Sequence, residues 1–254
     1  MTQEIIKQNA ALITGGAKRI GREIAINLAK KGYDIVINYN NSQSEAEELA
    51  KEITKEFKVK CEIFKCDLED KKQAAKLFDF ALEKFPYLNL LVNNASIFNK
   101  SKFLTSSYLE FERNFNLHVI SPMFLSHEFA KNILEKNIIN AQIINMVDKN
   151  IVRFDTSYFH YLLSKKLLAE MTKMLSLELA PKIRVNAIAP GFILNNVNEK
   201  NPSEETTKLL KKIPLKKKGE VENICQTVNF LINNEFITGQ ILFIDGGASL
   251  NHAG

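Results

Sequence analysis

Short apolar runs alternate along the whole chain with longer stretches in which apolar residues recur every three to four positions. The runs predict strands at 9–14, 34–40, 60–66, 88–93, 141–147, 183–189 and 240–244. The first of them, Ala10 to Thr14, is a short apolar run of the kind that forms a strand buried on both faces of a parallel sheet. The intervening stretches predict helices at 19–31, 43–57, 70–85, 108–136, 158–180, 205–212 and 220–232. Regular strand–helix alternation argues for an α/β fold, a doubly wound parallel sheet of seven strands with helices on both faces. No repeat, linker or low-complexity segment breaks the pattern, so 1–254 is read as one domain. Binding sites in such sheets gather at the carboxyl ends of the strands.

Composition narrows the classes. A chain of 254 residues can bury a large core, and 45% hydrophobic with 25% charged residues is the balance of an ordinary water-soluble protein. No apolar stretch is long enough to span a membrane, and the N-terminal MTQEIIKQN lacks a signal-peptide core. A cytoplasmic protein is therefore expected. The net charge of +5 raises the question of nucleic acid, but the lysines are scattered over helix faces. The one dense run, at 211–218, has no interleaved aromatics on which bases could stack. A basic mouth that attracts an anionic cofactor or substrate is the better reading. Cys61, Cys66 and Cys225 have no metal-ligand spacing with histidine, so no metal is expected and buried thiols are.

Two places carry chemistry. After the first strand come Gly15, Gly16, Ala17, Lys18, Arg19, Ile20 and Gly21, and then the helical pattern REIAINLAKKG. Strand, glycine turn and helix make the layout of a Rossmann-type dinucleotide site, where glycine admits a pyrophosphate and the helix N-terminus favours its charge. Farther on, Tyr161 and Lys165 share a helix face at i and i+4. An ammonium beside a phenol favours the phenolate, which is expected to lower the Tyr161 pKa and let it exchange a proton near neutral pH. Asp148 ends the run IINMV thirteen residues before Tyr161. The plain alternative for Asp148 is a cap at a strand–helix turn.

Thr14-Gly15 with Gly21, the pair Asn93–Asn94 and the Tyr161/Lys165 pair, in this order, resemble the short-chain dehydrogenase/reductase family. LLVNNAS at 90–96, IRVNAIAPG at 183–191 and ITGQILFIDGG at 237–247 extend the resemblance over nearly the whole chain. The resemblance implies a nicotinamide cofactor held by Gly15, Lys18, Arg19, Ile20 and Gly21, and by Tyr39, Asn40, Asn41 and Ser42 after the second strand. It adds Asp67 and Leu68 near the adenine, Asn94, Ala95 and Ser96 after the fourth strand, Tyr161, Lys165, and Pro190 and Gly191. It implies a substrate lid over about 192–218 and a homotetramer built on the long helices. NAD-specific sites place an acid after the second strand; Tyr39 stands there instead, and Lys18 is a good point-charge partner for phosphate. NADP(H) is therefore expected, with a small-molecule substrate.

Three departures narrow the resemblance. Asp148 replaces the family's catalytic serine, Arg19 replaces the middle glycine of the loop, and His118, four residues before Pro122, stands where an asparagine is expected. With TGGAKRIG, INMVD, HVISP and NNASIF, the chain resembles pteridine reductases and bacterial dihydromonapterin reductases. That resemblance implies that Phe98 stacks on a pterin and that Arg19, Ser96, Asp148 and Tyr161 contact substrate. With 17 phenylalanines in the chain, core packing is the alternative for Phe98. The expected function is NADPH-dependent reduction of a pterin or dihydrofolate-like ring. Asp148, Tyr161 and Lys165 are its expected catalytic residues, with Tyr161 the proton donor. A second reading is a 3-oxoacyl carrier-protein or other carbonyl reductase. A third, kept open by His118, is a cofactor-binding protein with little catalysis.

Overall fold

Seven parallel strands form one sheet in the computed structural model, which describes residues 8–193 and 204–251. They are β1 (Asn9–Ile13), β2 (Tyr33–Tyr39), β3 (Cys61–Lys65), β4 (Leu88–Asn93), β5 (Ala141–Met146), β6 (Ile183–Pro190) and β7 (Ile241–Ile244), in the order β3-β2-β1-β4-β5-β6-β7. The strand order reverses between β1 and β4, which opens a crevice beyond their carboxyl ends. Every apolar run that predicted a strand forms one.

The helices are α1 (Arg19–Ala29), α2 (Gln43–Phe57), α3 (Lys71–Lys84), α4 (Tyr108–Phe115), α5 (Ser121–Lys136), α6 (Phe159–Glu178), α7 (Glu204–Lys212) and α8 (Val221–Asn233). Strand residues alternate between two apolar layers, because successive side chains leave opposite faces. Ile13, Ile37 and Val92 pack with Ile24 and Leu28 of α1, Leu49 and Ile53 of α2, and Val228 and Leu231 of α8. On the other face, Leu12, Leu91 and Ile143 pack with Leu77 and Phe78 of α3 and Phe129 and Ile133 of α5. Burial pushes the thiols of Cys61, Cys66 and Cys225 up to about 12, so they stay protonated and inert.

Two local features depart from the expected pattern. The helix expected over 108–136 is broken by a π-helical turn at Asn116–Ile120, which buries Leu117 and His118. Periodicity could not show it, since a π turn shifts the register by a single residue without any distinct composition. A 3₁₀ turn at Lys149–Val152 follows β5 and is capped by Asp148. Of the expected lid, 194–203 lies outside the described residues. Among the described residues, no helix is long and apolar enough to cross a membrane.

Candidate active site

The loops at the strand ends are tied together by side-chain amides. The Gly15 N–H donates to Asn38 Oδ1 at 3.1 Å, and Asn38 Nδ2 donates to the Cys66 carbonyl at 3.1 Å, linking β1, β2 and β3. Asn94 Nδ2 donates to the carbonyls of Thr14 (2.9 Å) and Gly15 (3.0 Å). The N–H groups of Asn94 and Ala95 both donate to Thr14 Oγ1. This crowding explains the glycines. Gly15 has φ +59°, and a Cβ on Gly21 would lie 2.5 Å from the Gly15 oxygen. Asn38 carried no recognisable motif in the sequence, and its role is visible only in the fold.

The loop fits a dinucleotide. Lys18 precedes α1 without capping it by side chain, and the first turn of the helix holds no acid, so its N–H groups are open to a pyrophosphate. Ser42 likewise leaves the start of α2 uncapped. Asn40 and Asn41 are exposed beside it, while Tyr39 is buried in the core layer at 7% exposure. Asp67 turns its carboxylate to the Glu69 N–H, and Leu68 is buried beneath it. Lys18 is not a free cation: its Nζ lies 2.5 Å from Glu45 Oε1, and this hydrogen bond lowers the Glu45 pKa. The position after β2 holds Tyr39 and no acid, as the sequence shows; the carboxylate that meets Lys18 is Glu45. That residue lies six positions beyond Tyr39, and the first turn of α2 brings it back to the loop. Arg19 is exposed at the rim with φ +54°, left-handed backbone where a glycine would be unstrained.

Asp148, Tyr161 and Lys165 converge at the ends of β5 and α6. Tyr161 Oη donates to Asp148 Oδ2 at 2.9 Å, while Asp148 Oδ1 accepts from the Asn150 N–H at 2.7 Å. The carboxylate thus caps the 3₁₀ turn and holds the phenol at once. Lys165, fully enclosed, donates from Nζ to the Met146 carbonyl at 2.7 Å. Burial brings its pKa down to about 8, opposed by Asp148. The expectation that Lys165 lowers the Tyr161 pKa is corrected here. Burial, then the charge and hydrogen bond of Asp148, hold the phenol well above its ordinary value, with Ser96 opposing. Lys165 Nζ is 6.0 Å from the Tyr161 ring centroid and spends its hydrogen bond on a carbonyl. The group in contact with the phenol is the acid.

The substrate side is aromatic. Phe98 is 57% exposed, so it is not core. It stacks on Tyr158 with centroids 4.5 Å apart and meets the edge of Tyr161 at 4.8 Å. Ser101 fixes this arrangement by exchanging backbone hydrogen bonds with Ser157 and Phe159 and accepting the His160 N–H at its Oγ. Neither Ser101 nor Tyr158 was a sequence candidate. Ser96 is exposed beside Phe98, and Pro190 and Gly191 close the far side, where the Gly191 N–H donates to the Ile244 carbonyl at 2.9 Å.

Two predictions follow from the loop. Arg19→Gly is expected to raise the unfolding free energy by about 0.5–1 kcal/mol in urea titration, while weakening NADPH binding. A loss of stability would show that the left-handed position is not strained. Lys18→Ala is expected to weaken NADPH about tenfold by fluorescence titration and to remove most of its advantage over NADH. Glu45→Gln, which releases Lys18, should tighten NADPH; a weakening would mean that Glu45 organises the site.

Comparison with known proteins bears on this geometry. The family model described as Enoyl-(Acyl carrier protein) reductase matches residues 15–249. A short-chain type dehydrogenase/reductase of Picea abies is 32% identical over 250 residues, covering 93% of this chain and 91% of its own. A 3-oxoacyl-[acyl-carrier-protein] reductase FabG of Buchnera aphidicola is 30% identical over 240 residues, covering 93% and 96%. The crystal structure of FolM alternative dihydrofolate reductase 1 from Brucella canis, complexed with NADP, superposes with a TM-score of 0.89 at 32% identity, covering 98% of this chain and 97% of that one. The chain belongs to the short-chain dehydrogenase/reductase family and is an NADP(H)-dependent oxidoreductase.

Proposed function

We propose that the chain reduces a pterin or dihydrofolate-like ring with NADPH, and that Asp148, Tyr161 and Lys165 are its catalytic residues. The observation that carries this reading is the exposed Phe98 ring held beside the Tyr161–Asp148 pair. A flat heteroaromatic ring can pack against the exposed part of the Phe98 ring while its polar edge meets a phenol and a carboxyl. The likeness to the FolM structure supports the same choice. Sequence similarity to the FabG relative keeps a carbonyl reductase as the competing reading.

NADPH, when bound, supplies the hydride. Gly15, Lys18, Arg19, Ile20 and Gly21 would hold its phosphates, and Asn40, Asn41 and Ser42 would lie at its 2′-phosphate. Asp67 and Leu68 would border the adenine, with Asn94, Ala95, Pro190 and Gly191 lining the middle of the cleft. Tyr161, kept protonated by burial, donates from Oη to a ring nitrogen. As the Oη–H bond breaks toward the ring nitrogen, the phenol is restored by a proton that enters from solvent through a protonated Asp148 carboxyl, the hydrogen bond between them reversing direction. Ser96 and Arg19 hold the substrate's polar edge. Lys165 holds the nicotinamide ribose. Homotetramer assembly belongs to the same reading. Met123 and Leu134 of α5 and Leu163, Leu167, Met174 and Leu177 of α6 expose apolar side chains on the long helices.

NADPH oxidation against dihydrobiopterin, dihydromonapterin, dihydrofolate and an acetoacetyl thioester tests the substrate. Faster turnover of the thioester than of any pterin would hand the site to the carbonyl reading. Tyr161→Phe should lower kcat about 100-fold or more. Asp148→Ser should cut pterin turnover while sparing reduction of the thioester. One limb of the pH profile belongs to Lys165. Its ammonium loses its proton as pH rises through about 8, so kcat/KM for NADPH should fall above that pH. In Lys165→Arg, whose guanidinium does not titrate there, the fall should vanish; its persistence would assign the limb to another group.

A further inference from the structure

His118 is 1% exposed and sits in the π-helical turn between α4 and α5. Its ring reaches three separate segments. Nδ1 is 2.9 Å from Ser164 Oγ on α6. Nε2 is 3.0 Å from Ser96 Oγ and 3.2 Å from the backbone nitrogen of Ile97. A backbone N–H can only donate, so Nε2 must present its lone pair to Ile97. The ring proton then sits on Nδ1. Ser164 requires the same arrangement independently. Its hydroxyl donates to the Tyr161 carbonyl at 2.7 Å, which leaves its oxygen to accept from Nδ1–H. Two constraints from opposite sides of the ring select one tautomer.

The geometry points to His118 as a positioning residue: with its proton on Nδ1, the ring clamps the Ser96–Ile97 turn against α6 and so sets the Phe98 platform beside Tyr161. Phe98 follows Ile97 directly, and the His118 ring also stands edge-on to Tyr161 with centroids 5.5 Å apart. An asparagine has one carbon less of reach, and the π turn supplies the room a longer ring needs. Burial, and then Lys165, keep the ring's pKa well below its ordinary value. His118 is therefore a fixed acceptor at Nε2 and takes no part in proton delivery, which stays with Tyr161 and Asp148. This inference rests on the reading of Phe98 as the substrate platform for its kinetic arm only; the tautomer stands or falls independently.

The experiment is nitrogen NMR of the histidine rings in the apo and NADP⁺-bound enzyme, joined to steady-state kinetics on the best substrate of the panel above. His118 is expected to carry its proton on Nδ1 and not to titrate between about pH 5 and 8, where an ordinary histidine would. His118→Ala should raise substrate KM about tenfold, with kcat and NADPH affinity little changed. His118→Gln carries a donor and an acceptor on one planar group and should recover most of that loss. Should His118→Ala fail to fold, Ser164→Ala serves in its place: it removes the acceptor for Nδ1–H and should raise substrate KM in the same direction, while the Ile97 N–H keeps the proton on Nδ1. A proton on Nε2, titration between those pH values, a fall in kcat with KM intact, or no rescue by glutamine would each overturn the assignment. If the wild type reduces no pterin, the substrate reading fails, and the tautomer measurement still decides this one.

Discussion

The site depends on one constraint: the carboxyl ends of the parallel strands must be held in register where the sheet ladder gives way to loops. Loop backbone groups at strand ends need partners, and an amide side chain offers both a donor and an acceptor in one plane. Asn38 joins the ends of β1, β2 and β3, and Asn94 joins β4 to β1. Deeper down, Asn93 donates to Asn145, and Asn145 to Thr172 of α6, at 2.8 and 2.9 Å. The glycine turn and α6 are thereby tied to the same framework, so Tyr161 and the glycine turn keep a fixed separation.

Within that framework, burial decides the charge states. Tyr161, His118 and Lys165 are all enclosed, and loss of water favours the neutral form of each. The general rule that a lysine lowers a neighbouring tyrosine's pKa gives way here because of distance and competition. Asp148 is in hydrogen-bond contact with the phenol, whereas the ammonium is turned to the Met146 carbonyl. The phenol therefore keeps its proton, held by the carboxyl beside it.

The cofactor loop shows a different compromise. Arg19 adopts a backbone conformation that glycine tolerates better, and Lys18 rests against Glu45 until an anion competes for it. Strain of this kind persists only when the surroundings over-determine it. Here the ties from Asn38 and Asn94 supply that determination, and the exposed guanidinium is the group gained by accepting the strain.

The sequence by itself determined the order of strands and helices, because buried parallel strands need mainly apolar runs and the helices between them need one apolar face. It also marked Gly15, Gly21, Asp148, Tyr161 and Lys165, since glycine turns and fixed spacings are local properties of the chain. Only the tertiary structure decided the rest. Glu45 meets Lys18, Ser101 and Tyr158 hold Phe98, and the π turn brings His118 to Ser96, Ile97 and Ser164. None of these pairings has a characteristic spacing. The Tyr161 pKa was misjudged for the same reason: the helix showed which residues share a face, but desolvation and the choice of hydrogen-bond partner depend on what the rest of the chain packs around them.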